Sequence, residues 1–223
     1  MKAHLFVTGP SSADASALLR DALAPALGYA GGYCIQESFD EQGALRARTL
    51  YPAAAAADPT QWEGEMYLVI SGSSFFKNNE VFRESAVRML QEAEYYPLAL
   101  LDSIGGFELL IPQFRAALSD CLQLDLPMLC VLKSPEETEA ERQMLGLSDR
   151  FSAIASEVRS AILKDEETEL LTVLPGSESA AQEALRRWVR EQLPFLATEF
   201  PEQAGCCRES PCFSTESKVE YSK

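Results

Sequence analysis

The sequence predicts an α/β fold in which helices cover both faces of a mainly parallel β-sheet. Short apolar runs, typical of buried strands, alternate along the chain with longer segments whose apolar residues recur at helical spacing. The chain has 223 residues, a length that suits one α/β domain with a tail. Apolar residues make up 47% of it, which is enough for a substantial core and argues against global disorder.

The first predicted elements are a strand, a helix and a β-hairpin. An apolar run over residues 3–8 indicates the strand, and the run ends at Gly9. Apolar side chains then recur at helical spacing over residues 14–27, and the glycines that follow are expected to end this helix. A turn over residues 39–43 separates two segments of strand composition. The two strands of this hairpin are predicted over residues 33–37 and 44–51.

The alternation continues through the rest of the chain. Residues 98–101 form a continuous apolar run that ends at Asp102, which is typical of a strand in the middle of a sheet. Pro112 stands where proline favours the first turn of a helix. The other predicted strands are 66–71, 127–132 and 170–174. The other predicted helices are 78–95, 112–124, 135–147, 150–163 and 177–193, and residues 53–57 are a low-complexity connector.

The six cysteines follow neither the spacing of a disulfide framework nor that of a complete zinc site. Three lie in apolar runs, where cysteine behaves as a small buried hydrophobe. The other three lie beyond Pro194, where the sequence becomes polar, and we expect free thiols there. This change in composition predicts a domain over residues 1–196 and a disordered tail over residues 197–223. The cysteines are Cys34, Cys121 and Cys130 in the apolar runs, and Cys206, Cys207 and Cys212 in the tail.

The composition excludes several classes of function. Nineteen Lys and Arg against 34 Asp and Glu give a formal charge of −15, which argues against a protein that coats DNA or RNA. No apolar stretch reaches the roughly 18 to 20 residues of a membrane span, and the apolar start of the chain is too short for a signal peptide. We therefore expect a cytoplasmic protein that binds neither nucleic acid nor membrane. Its acidic surface is compatible with a basic protein partner but identifies none.

The single histidine excludes any site that needs two imidazoles, which removes most zinc-hydrolase and Ser/His or Cys/His mechanisms. This residue, His4, lies inside the first predicted strand. We expect its side chain to be buried there with its hydrogen bonds satisfied.

The junction of the first strand and the first helix carries part of a phosphate-binding pattern. In P-loop proteins this junction holds G-x-x-x-x-G-K-[ST], whose amides cradle phosphates while the Lys neutralises them and the hydroxyl holds magnesium. Here Gly9 and Ser16 match the first and last positions, but Asp14 replaces the second Gly and Ala15 replaces the Lys. The candidate nucleotide-binding residues are Gly9, Pro10, Ser11, Ser12, Ala13, Asp14, Ala15 and Ser16.

A second segment resembles the signature of a known enzyme family. Residues 98–118 read LALLDSIGGFELLIPQFRAAL. This resembles the small nucleoside-triphosphatase family, the thermophilic and cancer-related P-loop enzymes, whose pattern is an apolar strand, Asp-Glu-Ile-Gly-Lys-Met-Glu-Leu, and Pro-x-Phe-Arg opening a helix. The resemblance extends over residues 1–133 with the order of segments preserved, including Gly31-Gly32-Tyr33 and the acidic hairpin. It implies a three-layer P-loop NTPase-like fold and descent from an enzyme that hydrolyses nucleoside triphosphates with Mg²⁺.

The resemblance also implies roles for single residues. By position, residues 9–16 would bind the phosphates of a nucleotide, Ser16 would be a magnesium ligand, and Asp102 would be the second-sphere magnesium carboxylate. Glu108 matches a family position and, with Asp102 and Lys133, is a catalytic candidate. Three charged groups of the family are missing, since its loop Lys is Ala15 here, its strand-end Glu is Ser103, and the Lys after its Ile-Gly is Gly106.

The change of charge in the loop is large enough to decide affinity. Relative to the family, the loop loses one positive charge and gains the negative charge of Asp14. One unit charge pair at about 4 Å contributes about 4 kcal/mol at an effective dielectric constant of about 20, or roughly a thousandfold in affinity. We interpret Asp14 as the N-cap of a helix that begins at Ala15, so that the loop is closed by its own aspartate.

Two functions fit this sequence. The missing charges favour a non-hydrolysing relative that uses its former site to bind a ligand or a protein partner. The alternative is an active Mg²⁺-dependent nucleoside-triphosphate phosphohydrolase in which a substitute basic residue replaces the loop Lys. The candidates for that residue are Lys133, at a strand end where α/β sheets bind ligands, and the arginines of residues 142–159.

Overall fold

The computed structural model describes residues 4–58, 64–72 and 74–194, and its strands and helices alternate over most of this length. The strands are β1 (His4–Thr8), β2 (Ala30–Phe39), β3 (Leu45–Pro52), β4 (Glu65–Ser71), β5 (Ser74–Lys77), β6 (Leu98–Ile104), β7 (Met128–Leu132) and β8 (Thr168–Thr172). The α-helices are α1 (Ser12–Leu23), α2 (Val87–Glu92), α3 (Pro112–Cys121), α4 (Pro135–Met144), α5 (Asp149–Lys164) and α6 (Glu178–Gln192). Short 3₁₀ turns lie at Leu27–Tyr29, Ala53–Ala57, Ala93–Tyr95 and Phe107–Leu110, and a π-helical segment, Val81–Ala86, leads into α2.

The eight strands form one mixed sheet in the order β5-β4-β3-β2-β6-β7-β1-β8. The five strands from β2 to β8 in this order pair in parallel, and long connections that contain helices join most of them. The strands β3, β4 and β5 extend the β2 edge with antiparallel pairing. Because the carboxyl ends of parallel strands meet at one edge of the sheet, the residues that follow β1, β6 and β7 lie near one another.

A hydrophobic core lies on each face of the sheet. Successive side chains of a strand point to opposite faces, so Phe6 of β1 belongs to one core while Leu5 and Val7 belong to the other. The helices α1 and α6 cover the Leu5 face, and α2, α3 and α5 cover the Phe6 face. The predicted three-layer α/β arrangement with a mainly parallel sheet is therefore confirmed.

The structure corrects the predicted end of the first helix. The helix α1 ends at Leu23, and the glycines at 31 and 32 lie inside β2 instead of stopping a helix. Gly31 fits there because a Cβ at this position would lie 2.8 Å from Ala93 Cα and 2.7 Å from the Tyr96 ring. The strand can pass this close to the turn after α2 only with a glycine at position 31.

Two short elements were not predicted. The edge strand β5 has four residues, too few for a strand pattern to be recognised, and the connector Ala53–Ala57 forms a 3₁₀ helix.

The predicted hairpin is confirmed as β2 and β3, which pair in an antiparallel arrangement. The predicted tail, with Cys206, Cys207 and Cys212, lies outside the described residues.

The buried cysteines agree with the sequence prediction, but the histidine does not. Cys34, Cys121 and Cys130 are free and buried, and burial raises the pKa of the Cys121 thiol to about 12. His4 is buried in β1, and within the described residues its Nδ1 has no hydrogen-bond partner. The prediction of a fully satisfied ring is therefore wrong. Burial lowers the pKa of His4, although nearby carboxylates of Asp165 and Glu167 act in the opposite direction.

Within residues 4–58, 64–72 and 74–194, no helix is both long and apolar enough to cross a membrane.

Candidate functional site

The connection between β1 and α1 is shorter than the sequence predicts, since the helix was expected to begin at residue 14 or 15 and begins at Ser12. Only residues 9–11 lie between the strand and the helix. Ser11 has an extended backbone and is the N-cap, since its Oγ accepts a hydrogen bond from the Asp14 amide at 3.2 Å. The prediction that Asp14 caps a helix beginning at Ala15 is therefore wrong, because the helix already begins at Ser12, with Ser11 as its cap.

The remaining residues of the predicted loop, 12–16, form the first turns of α1. Ala13 and Asp14 are exposed to solvent, whereas Ala15 is 1% exposed and packs in the core between α1 and the sheet. The position that carries Lys in a P-loop thus faces the hydrophobic core. Ser16, one residue further, is also buried and faces a polar group on β6.

A carboxylate of the protein itself lies at the N-terminus of α1. Glu137 Oε1 accepts a hydrogen bond from the Ser12 amide at 2.6 Å. Its Oε2 accepts one from the Ser134 amide at 3.2 Å, in the capping box that begins α4. One carboxylate therefore binds the N-termini of two helices, which is where helices attract anions.

The predicted magnesium pair is brought together. Ser16 Oγ donates a hydrogen bond to Asp102 Oδ1, and Arg20 Nη1 donates to Asp102 Oδ2 at 2.9 Å. Arg20 also donates to the Ile35 carbonyl oxygen at 3.3 Å. Burial of the 1% exposed Asp102 raises the pKa of its carboxyl group to about 6, although Arg20 and the Ser16 hydroxyl act in the opposite direction.

Sequence reasoning missed two residues of this site. Arg20 lies four positions after Ser16, so helical spacing places the two on one face of α1. This spacing could have predicted Arg20 as a residue of the site. Glu137 completes an S-x-x-E pattern with Ser134, which predicts its role in α4. Its contact with Ser12, 125 positions earlier in the chain, has no sequence signal.

A cavity of about 410 Å³, the Asp102 cavity, opens beside this group. Its size lies within the range of small-molecule sites. Ser12, Ser16, Arg20 and Asp102 line its polar side. The other side is mixed, with Ala13, Cys34, Ile35, Phe39, Tyr51, Ala55 and Ala56 beside Gln36, Glu37 and Ser103.

Lys133 lies in a buried ionic group, the Glu141 cluster, formed by Arg48, Lys133 and Glu141. Lys133 Nζ and Arg48 Nη1 each lie 2.6 Å from Glu141 Oε2, and the Phe107 amide donates to Glu141 Oε1 at 2.8 Å. Lys133 is only 6% exposed. Burial disfavours the Glu141 carboxylate, but the two cations outweigh this effect and hold its pKa below the ordinary value.

Glu108, the remaining catalytic candidate, binds the chain that follows β6. Its Oε1 accepts hydrogen bonds from the amides of Gly105 at 2.9 Å and Gly106 at 2.6 Å. Burial raises the pKa of Glu108. A Cβ at Gly106 would lie 2.6 Å from both Glu108 Oε2 and Glu141 Oε1, so these two carboxylates leave no room for a side chain there.

The arginines proposed as substitutes for the loop Lys lie elsewhere. Arg142 pairs with Glu139, with an Nε to Oε2 distance of 2.8 Å, and Arg150 is exposed. Arg159 Nη1 donates to the Lys133 carbonyl oxygen at 2.9 Å. Of the described residues, Arg20 supplies the guanidinium that lines the Asp102 cavity.

Comparison with known proteins supports the fold. No protein-family description matches the chain, and no curated protein matches it. The crystal structure of THEP1 from the hyperthermophile Aquifex aeolicus is similar, with a TM-score of 0.53 over 82% of this chain and 96% of that chain. The two sequences are 12% identical. Because THEP1 is a P-loop NTPase, the predicted P-loop NTPase-like fold is confirmed.

Proposed function

We propose that this P-loop NTPase-like protein does not hydrolyse nucleoside triphosphates and instead binds a small ligand in the Asp102 cavity. The observation that carries the proposal is the hydrogen bond from the Ser12 amide to Glu137. The amides of this junction would face phosphate in a P-loop protein. Here a carboxylate of the protein already takes that position, and a bound phosphate would have to displace it or lie beside its negative charge.

Electrostatics support the loss of triphosphate binding. A phosphate near the Ser12 amide would meet the carboxylate of Glu137, and Ala15 provides no positive charge to offset it. One like-charge contact at about 4 Å opposes binding by about 4 kcal/mol at an effective dielectric constant of about 20. Neutralisation of charge is also the largest part of phosphoryl-transfer catalysis, so the same change would slow hydrolysis.

The residues near Asp102 do not fit a magnesium ion as they stand. Mg²⁺ in nucleotide sites is held by one or two protein oxygens beside phosphate oxygens and waters. Here the Ser16 hydroxyl donates its hydrogen to Asp102 Oδ1 instead of facing an open position. Arg20 forms a salt bridge with Asp102, in which Nη1 contacts Oδ2, one of the two carboxylate oxygens. We infer that the guanidinium of Arg20 occupies the place that a cation would have beside Ser16 and Asp102.

The lining of the Asp102 cavity favours a small molecule with an apolar body and few charges. Phe39, Tyr51 and Ile35 supply apolar surface, while Arg20 and Ser12 supply hydrogen-bond donors. Arg20 is 36% exposed, so part of its guanidinium is accessible to a ligand. A multiply charged triphosphate finds no comparable set of cations here.

A nucleoside-triphosphate phosphohydrolase is the second candidate, because one observation favours it. Arg20 carries a positive charge and lines the cavity, so it is a further candidate for the basic residue that would replace the loop Lys, beside Lys133 and the arginines of residues 142–159. Lys133 is less suited to the role, because it is buried in the Glu141 cluster.

Nucleotide binding and phosphate release by the full chain test the proposal. We expect no Mg²⁺-dependent phosphate release from ATP or GTP, and no calorimetric binding of either nucleotide in the millimolar range. We expect Glu137→Gln to increase the affinity for inorganic phosphate by about tenfold or more, because it removes one negative charge from the N-terminus of α1. Glu136→Gln is the matched control, since Glu136 is an exposed neighbour in the same turn of α4.

The opposite results identify the second candidate. Phosphate release that depends on Mg²⁺ and disappears in Asp102→Ala would show an active hydrolase.

The ligand part of the proposal is tested by NMR screening of uncharged fragments against the full chain. Fragments that bind should shift signals of Arg20 and Tyr51, and Ala56→Phe, which fills part of the cavity, should weaken their binding. Fragments that bind elsewhere contradict the proposal.

A further inference from the structure

A second cavity lies at the carboxyl ends of β6 and β7. It has a volume of about 190 Å³, and we call it the Arg159 cavity. Ile104 and Gly105, at the end of β6, form one side, and α5 forms another. None of the described residues lines both this cavity and the Asp102 cavity. Its position is one where parallel α/β sheets bind ligands.

Arg159 brings a positive charge to this cavity without a carboxylate partner. Its Nη1 donates to the Lys133 carbonyl oxygen at 2.9 Å, and its side chain is half-buried. Among the residues that the structure describes, Arg159 forms no salt bridge, although Glu136 lies close enough to influence it. A partly desolvated cation without a counterion is unfavourable, so an anion from solution would be stabilised here.

Two hydroxyl groups line the cavity on the same face of α5 as this arginine. Ser152 and Ser156 precede Arg159 at spacings of seven and three residues, which places all three on one side of the helix. A serine hydroxyl can donate a hydrogen bond to an oxyanion. The face therefore combines one cation and two donors, a set that suits a carboxylate group.

The rest of the cavity is largely apolar. Ile104, Leu109, Leu132 and Val158 contribute aliphatic side chains to its wall. Lys133 and Thr138 line it too, but the Lys133 ammonium group pairs with Glu141, and the Thr138 hydroxyl donates to the Gly105 carbonyl oxygen at 3.1 Å. Glu139 lies at the cavity with its carboxylate paired to Arg142. A volume of about 190 Å³ admits a few heavy atoms and excludes a nucleotide.

We propose that the Arg159 cavity binds a small carboxylate with a short aliphatic chain. Arg159 holds the carboxylate through charge-assisted hydrogen bonds, and Ser152 and Ser156 donate to its oxygens. The aliphatic chain contacts Ile104 and Leu132. This site does not depend on the function proposed for the Asp102 cavity.

Butyrate is a suitable probe, with butyramide as a neutral molecule of the same shape. We expect butyrate to shift the backbone amide signals of residues 152, 156 and 159 in NMR spectra of the full chain, with a Kd in the millimolar range. Butyramide should bind at least tenfold more weakly, because it lacks the charge that pairs with Arg159. Arg159→Gln should remove the butyrate shifts, and Arg150→Gln, at an exposed position near the start of α5, should leave them unchanged.

A second variant, Ser156→Asp, and a second anion, inorganic phosphate, complete the test of carboxylate binding. If Arg159→Gln does not fold, Ser156→Asp takes its place, since position 156 is exposed and an added carboxylate there should exclude butyrate. Three results would overturn the proposal: no butyrate shifts in the millimolar range, equal binding of butyrate and butyramide, or butyrate binding that survives Arg159→Gln or Ser156→Asp. Inorganic phosphate binding more tightly than butyrate would also overturn it, because the aliphatic wall would then have no role.

Discussion

Asp102 is a buried carboxyl group whose two oxygens accept hydrogen bonds from different partners, the Ser16 hydroxyl and the Arg20 guanidinium. These partners favour the ionised form, whereas removal from water disfavours it. The pKa of about 6 shows that burial is the stronger effect. At neutral pH the protein therefore holds a carboxylate in its interior at a cost in stability.

The stability of the fold should depend on pH through Asp102. Its pKa is higher in the folded protein, about 6, than the ordinary value of 3.8, so the folded state binds a proton more tightly than the unfolded chain. The stability that protonated Asp102 contributes to the fold is fully present below about pH 4 and is lost as the pH rises through 6. We expect the free energy of unfolding to fall by about 3 kcal/mol over this range from Asp102 alone. Urea unfolding of the wild type and of Asp102→Asn at several pH values measures the difference.

The comparison of the wild type with Asp102→Asn separates the contribution of the Asp102 carboxyl group from that of the other acidic residues. Asp120→Asn, which removes an exposed carboxylate from α3, controls for the loss of one negative charge. A difference between wild type and Asp102→Asn that stays constant from about pH 4 to about pH 7 would mean that Asp102 is not destabilised by burial.

At the scale of the element, the start of α1 sets the character of the site. Ser11 caps α1, and Glu137 accepts a hydrogen bond from the amide of Ser12. Residues 12–16 are therefore helical from the first of them, whereas a P-loop would place an open, phosphate-binding loop at the start of this segment. The helical periodicity then turns Ala15 toward the core and Ser16 toward Asp102. A lysine at position 15, where the P-loop pattern has one, would therefore lie against the core.

A lysine at position 15 should destabilise the fold instead of binding phosphate. The Ala15 side chain is 1% exposed among apolar residues, and an unpaired ammonium group there would be buried without a counterion. We expect Ala15→Lys to lower the free energy of unfolding by about 3 kcal/mol or more, as measured by chemical denaturation. Ala17→Lys is the matched control on the same helix, because position 17 is exposed and should change stability by less than about 0.5 kcal/mol.

An Ala15→Lys variant that is as stable as Ala17→Lys and gains affinity for ATP would contradict this account. It would indicate that residues 9–16 can adopt the open loop that the resemblance implies.

At the scale of the whole molecule, the Glu141 cluster joins separate parts of the sheet. Arg48 belongs to the antiparallel strand β3, Lys133 follows the parallel strand β7, and Glu141 belongs to α4. One carboxylate thus connects the two cations, and Arg48 also pairs with Glu37 of β2 at 2.8 Å. Because these groups are largely buried, none can lose its partner without a large cost.

Removing the central carboxylate should show this cost. Glu141→Gln leaves Lys133 and Arg48 buried near each other without their shared counterion, and we expect a loss of about 3–5 kcal/mol in the free energy of unfolding. Adding Lys133→Met to Glu141→Gln should recover part of that loss, because one uncompensated cation is then removed. A double-mutant cycle by urea denaturation measures both effects.

Glu139→Gln, on the same helix, is the control for this experiment. Glu139 forms a partly exposed pair with Arg142, and pairs near the surface contribute at most about 1 kcal/mol. Equal losses for Glu139→Gln and Glu141→Gln would show that burial of the Glu141 cluster has no energetic consequence.

Much of the architecture was accessible from the order of residues, because strand and helix periodicity are local properties. The run before Asp102 identified β6, and the alternation around residues 39–43 identified the hairpin of β2 and β3. The start of α1 was missed because Ser11 and Asp14 are both good N-caps, and local pattern does not choose between them. Of the candidate site, Ser16 and Asp102 were paired in advance through the resemblance, but Arg20 and Glu137 were not.

The order of apolar and polar residues was thus enough to predict the α/β layers, and the composition alone gives the acidic charge of the protein. Neither predicted the partners of Ser12 and Lys133, nor the pairing of Asp102 with Arg20. Those partners lie up to 125 residues away in sequence, and the choice among them depends on which helices pack side by side and how much water their burial removes. Only the tertiary fold brings Glu137 to the N-terminus of α1, since a hydrogen bond between remote segments requires that helix and sheet packing hold the two segments side by side.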